Sequence, residues 1–206
     1  MLLPILFLLA ASAMSDDSVS KAIKSYEKLS TYSVTLRSKR SSSSQIIRYY
    51  YKKPGFVLME FVKPHRGAVL VYNPETKEAR LWPFSAMNSF FITLSPDSRL
   101  IKSPTGHTVD KSDIGELLTI AKRLQDNGKA EVLRIEGVAG RKANLIEIEG
   151  DGDFTVDGIH RYHLWLEQKT SLPLKASSFD LEGNLLEEVL MEDLEVDVKL
   201  DEGLFR

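Results

Sequence analysis

The sequence predicts an α+β protein that is mainly antiparallel β. The expected form is an unclosed, strongly curved β-barrel of about ten or eleven strands, with helices capping or plugging the concave face. Three observations carry this expectation. Strand signals recur from residue 32 to residue 196, in short apolar or alternating runs bounded by Gly, Pro, Asn and Ser. The connections between them are short, which makes chain neighbours antiparallel hairpins. Only two segments carry helical periodicity, and a sheet this wide curls rather than staying flat.

At 206 residues, 43% of them hydrophobic and 27% charged, the chain is long enough for one domain with a genuine core. A formal net charge of -2 gives no reason to expect a nucleic-acid partner. The absence of cysteine excludes disulfides, thiolate metal sites and cysteine nucleophiles.

The apolar run MLLPILFLLAASA (1–13) is too short to span a bilayer and ends in Ala-Ser-Ala. It reads as a signal peptide cleaved after Ala13, although a basic n-region is missing. Residues 14–206 then form a single domain, exported to a bacterial periplasm and expected to be monomeric.

Val19, Ala22, Ile23, Tyr26 and Leu29 recur at helical spacing and predict an amphipathic helix over 18–30. Strands follow near 32–40, 44–53, 56–63, 67–73 and 77–82, with turns at the Ser41–Ser44 run, Pro54-Gly55, His65-Arg66-Gly67 and Asn73-Pro74. The proline-interrupted stretch LWPFSAMNSFFITLSPDS reads as irregular or as a short helix. Asp113 with Glu116 resembles a capping box opening a second helix, whose face is Ile114, Leu117, Leu118, Ala121 and Leu124. Gly128 is expected to end it as a C′ glycine. Further strands lie near 130–137, 141–149, 159–167, 172–180 and 184–196.

Within the strand 56–63 the run 56–62 is apolar on both faces apart from Glu60. Placing Arg48 and Lys52 outside sends the odd positions Ile47, Tyr49 and Tyr51 inward. The same phase sends Val57, Met59 and Phe61 inward, and then Ala79 and Leu81. These eight side chains are the candidate ligand-binding residues. The two-sided strands are expected to pack a helix on one face and line an interior on the other. That interior is either a ligand cavity or a barrel filled by its own aromatic rings.

The helix, the hairpin YYYKKPGFVLMEF and the following GAVLVYNPETKEARLWPF resemble the LolA/LolB superfamily of periplasmic lipoprotein carriers, with motif-level likeness confined to residues 45–84. The resemblance implies an unclosed barrel capped by helices that binds lipoprotein acyl chains, or a related lipid, for delivery toward the outer membrane. It also implies inner-membrane donor and outer-membrane acceptor proteins as partners. Where the carriers have an arginine before the proline, this chain has Lys53. Lys53 is either a lid or head-group contact or a strand-end lysine in water. A lipid-sensing regulatory protein on the same fold is the alternative function, and an enzyme on an apolar small molecule the third.

Eight Lys or Arg and one acid lie between Arg37 and Arg66, while ten Asp or Glu and two basic residues lie between Asp180 and Arg206. The basic stretch is either a patch for an anionic head group or one half of cross-strand pairing with the acidic end. His160 and His163, three apart on a strand, point to opposite faces and make a poor metal pair. The acidic loop 149–158 lacks the EF-hand glycine and glutamate. No Walker loop, Rossmann fingerprint or G-x-S-x-G occurs, so no cofactor, metal or catalytic residue is expected.

Overall fold

The computed structural model describes residues 17–40, 43–84, 90–103 and 106–205. The expected signal peptide lies outside the described residues, as do Ser41 and Ser42 of the serine turn. Helix α1 (Ser18–Lys28) opens the chain. Six strands follow, β1 (Thr31–Lys39), β2 (Ser44–Lys52), β3 (Phe56–Lys63), β4 (Val69–Asn73), β5 (Glu78–Trp82) and β6 (Ile92–Leu94). After helix α2 (Ile114–Asp126) come β7 (Gly128–Val138), β8 (Arg141–Gly150), β9 (Arg161–Glu167), β10 (Pro173–Phe179) and β11 (Leu185–Val196).

Among the described residues, all eleven strands form one antiparallel, curved sheet in the order β6-β5-β4-β3-β2-β1-β11-β10-β9-β8-β7. β6 and β7 are edges with no partner on one side, so the barrel is unclosed, as expected. The first and last long strands meet at its centre. That pairing answers the charge asymmetry: Lys39 lies opposite Glu188, and Arg37 forms an ion pair with Glu192. The start of the basic stretch, Arg37 and Lys39, is thus a cross-strand neighbour of the acidic end, while Arg48 pairs with Glu60 on β3.

Both helices lie on the face where the inward side chains of the two sheet halves meet. Val19 and Ala22 of α1 and Ile114, Leu118, Ala121 and Leu124 of α2 share one buried cluster with Tyr49, Val57, Ile148 and Leu164. Asp113 is the N-cap of α2, its carboxylate accepting from the Gly115 and Glu116 amides.

Three expectations are corrected. Residues 92–94 are neither irregular nor helical; Thr93 pairs with Arg80, and Phe91 packs on Trp82 with ring centroids 5.2 Å apart. Gly128 is not a left-handed cap but the first residue of β7. A Cβ there would collide with the Glu149 carbonyl oxygen and the Gly150 Cα, so the close approach of β8 demands glycine. Nor does either α-helix cover the second apolar face of β3; a short C-terminal 3-10 helix, Glu202–Phe205, does. Leu58, Val69 and Val71 are buried beneath Phe205, with Leu200 and Leu204 packed alongside, so the C-terminal segment is the cover. On the opposite half, Trp165, Leu145 and Leu174 form a separate cluster on the other face from the helices.

Candidate functional site

The inward side chains form rows across the strands, because antiparallel register places same-face residues side by side. One row is Leu36, Ile47 and Phe61. The next is Val34, Tyr49, Met59, Leu70 and Leu81. A third is Tyr32, Tyr51, Val57, Tyr72 and Ala79. The first two rows flank a cavity of about 520 Å³ that Tyr32 also lines. Of the eight candidates, Ile47, Tyr49, Met59, Phe61 and Leu81 line it; Tyr51, Val57 and Ala79 do not. Those three face the same way but are buried one row along, where Tyr51 packs on Tyr26 of α1.

The cavity is roofed by irregular chain and by α2. Leu100, Ile101, His107, Val109 and Ser112 lead into Ile114, Leu117 and Ile120. A tyrosine cluster holds this roof. Tyr26 Oη donates to Asp113 Oδ1 at 3.0 Å and lies 2.9 Å from the Tyr51 hydroxyl. Tyr32 accepts from the Ile114 amide at 3.1 Å, and Tyr49 meets Ser112 Oγ at 3.1 Å. Burial raises the phenol pKa of Tyr26, Tyr32 and Tyr49 well above the ordinary value, so the three stay protonated and act as hydrogen-bonding tips on an apolar stack. Tyr32 stacks between Tyr49 and Tyr51, with centroids 5.9 and 5.0 Å away.

Lys53 is neither in the cavity lining nor in open water. Its ammonium donates to the Glu27 carbonyl at 2.7 Å and the Tyr26 carbonyl at 3.3 Å, and sits 5.3 Å from the Tyr26 ring centre. It therefore binds the C-terminal carbonyls of α1, where a cation also meets the negative end of the helix dipole.

Residues from the second half of the chain complete the cavity, and sequence reading did not assign them. Met191, Val189 and Glu187 from β11, Ala176 and Ser178 from β10 and Tyr162 from β9 face it. Glu187 is half-buried; burial raises its carboxyl pKa, while Arg40, His107 and Ser38 oppose the rise. The alternation Leu185, Glu187, Val189, Met191 carried the signal, since extending the inward phase to β11 puts one acid on an otherwise apolar face.

Residues 66–206 match the sequence profile of a protein family described as the MucB/RseB N-terminal domain. No curated protein matches the chain in sequence. Among solved structures, an uncharacterized conserved protein of Thermus thermophilus aligns over 92% of this chain and 90% of its own, with TM-score 0.55 and 12% identity. The Mycobacterium tuberculosis lipoprotein LppX aligns over 89% and 96%, with TM-score 0.51 and 10% identity. The Pseudomonas aeruginosa MucA/MucB complex contributes a chain aligning over 92% of this one, with TM-score 0.50 and 15% identity. This chain spans only 59% of that one. These likenesses show the fold alone, and the unclosed barrel capped by helices that the resemblance implies stands.

Proposed function

This chain belongs to the MucB/RseB N-terminal domain family, and we propose that it binds an acyl-type chain in its inward cavity, in the bacterial periplasm. The observation that carries the reading is the cavity itself, about 520 Å³ beside a fully packed core and faced by Ile47, Met59, Phe61 and Met191. That volume falls in the range of about 300–1,000 Å³ usual for small-molecule sites. Burying acyl chain is worth about 0.8 kcal/mol per methylene, so such a surface takes up a lipid tail that water rejects. The two methionines suit an irregular, flexible guest.

The carrier role implied by the LolA resemblance adds delivery of lipoprotein acyl chains toward the outer membrane. A regulatory reading also has specific support: the family match, and a structural neighbour solved as a complex of MucB with MucA. The two readings share the binding step and differ in the fate of the bound chain. The leader expected at residues 1–13 supports the compartment, and among the described residues no helix is long and apolar enough to cross a membrane.

Titration with a fluorescent acyl probe tests the shared step. Met59→Glu and Phe61→Glu should each abolish uptake while the circular dichroism and the unfolding transition persist. If both variants unfold instead, the interior is a solid core and the binding reading fails. Passage of the bound probe into acceptor vesicles would support the carrier; retention, with altered affinity for a protein partner, would support regulation.

A further inference from the structure

One end of the cavity is polar, and register makes it so. Ser38 on β1 lies opposite Gln45 on β2. Glu187 on β11 lies opposite Ser178 on β10, which lies opposite Tyr162 on β9. Ser38 also acts on the Glu187 carboxyl, which joins the two sets. All five side chains face the cavity, as does His107 from the roof. Ser38 itself lies opposite Val189, and two residues along each strand the inward positions are Leu36 on β1, Ile47 on β2, Val189 on β11 and Ala176 on β10. The wall therefore changes from hydroxyl, amide and carboxyl groups to hydrocarbon within two residues along each strand.

A guest lying along this wall needs a polar end and an apolar end. Ser178 Oγ is 3.5 Å from the Glu187 carbonyl, too far to be strongly engaged, and Gln45 offers both a donor and an acceptor. The carboxyl of Glu187 sets the sign. Arg40 acts on Glu187 electrostatically, but its Nε donates to the Leu186 carbonyl at 3.3 Å, and Arg40 does not line the cavity. Glu116 on α2 also faces the cavity, and its charge acts on the same Tyr162 that feels Glu187. Lys102 and Lys111 also line the cavity, from the chain that leads into α2, but the charged group set beside Ser38 and Ser178 is the Glu187 carboxyl. An anionic head placed there would meet like charge in a partly desolvated site, which costs more than it would in water.

We infer that the cavity selects an amphiphile whose head is a non-anionic hydrogen-bond donor, a hydroxyl or an amide N–H, received by Glu187 together with Ser38, Gln45 and Ser178. The inference rests on the acyl-binding reading and narrows its ligand class. A fatty acid carboxylate is the wrong head for this wall.

Competition against an uncharged fluorescent apolar probe tests it, using monoolein and oleate at alkaline pH, which share one chain and differ in head. The wild-type chain should bind monoolein at least about tenfold more tightly than oleate. Glu187→Gln should narrow that ratio to within about threefold, chiefly by improving oleate. Glu187→Ala should weaken monoolein as well, because the acceptor is gone. Equal binding of both ligands by the wild type, or an unchanged ratio in Glu187→Gln, overturns the head-group assignment while leaving acyl binding intact. Failure of the probe and both ligands to bind overturns the two together.

Discussion

The Tyr26 hydroxyl lies 3.0 Å from Asp113 Oδ1, tying the first helix to the residue that caps the second. One carboxylate thus serves two ends of the roof, since it also accepts from the amides of Gly115 and Glu116. Asp113→Ala should lower stability to urea by about 1–2 kcal/mol, the usual value of an N-cap. Asp113→Asn keeps a capping oxygen and should recover most of that loss. Tyr26→Phe isolates the remaining bond and should cost about 1 kcal/mol.

Lys53 binds the last carbonyls of α1. Lys53→Met keeps the aliphatic stem and removes the ammonium, and should cost about 1 kcal/mol in urea. Affinity for an uncharged acyl probe should be unchanged. Weaker probe binding at full stability would instead mark Lys53 as part of the lid or of a head-group site.

Phe205 closes the outer apolar face of β3 and β4 and is 5% exposed, whereas Phe84 is 77% exposed. Phe205→Ala should cost about 3 kcal/mol and raise the binding of an environment-sensitive dye, since Leu58, Val69 and Val71 would meet water. Phe84→Ser should stay within about 0.5 kcal/mol of wild type. Equal losses from the two substitutions would show that the tail does not cover the sheet.

The pKa of Glu187 is raised on folding, chiefly by desolvation. The folded state therefore holds this proton more tightly than the unfolded chain does. Its contribution to stability is fully present below the ordinary glutamate pKa and is lost as pH rises through the folded value. Glu187→Gln, neutral at every pH, should be more stable than wild type at pH 7, with the advantage shrinking toward pH 4. Urea midpoints at the two pH values measure this, and a pH-independent difference would contradict it.

The inward phase of β2 was legible because Arg48 and Lys52 sit at even positions and charge prefers water. The buried residues there are Ile47, Tyr49 and Tyr51. The same reasoning carried into β3 through Glu60, which pairs with Arg48 across the sheet. It could not tell Met59, which lines the cavity, from Val57, one row away under packed side chains. Parity fixes a face, whereas depth along the strand depends on what lies over that face. The roof formed by residues 100–103 and 106–113 was illegible for a related reason: short turns carry no period, and the place of this segment is fixed by distant tyrosines.

By itself the sequence determined which residues become strands and helices, which face of the early strands turns inward, and that neighbouring strands pair antiparallel. These follow from local spacing and short connections. Tertiary structure alone decided that β1 lies beside β11, that the C-terminal segment covers the outer face of β3, and that Glu187 meets Ser38 at one end of the cavity. Each of these joins residues more than 140 positions apart in the chain. Such contacts form only when the whole sheet curls and closes its two halves over one core, and no local pattern encodes where that closure brings them together.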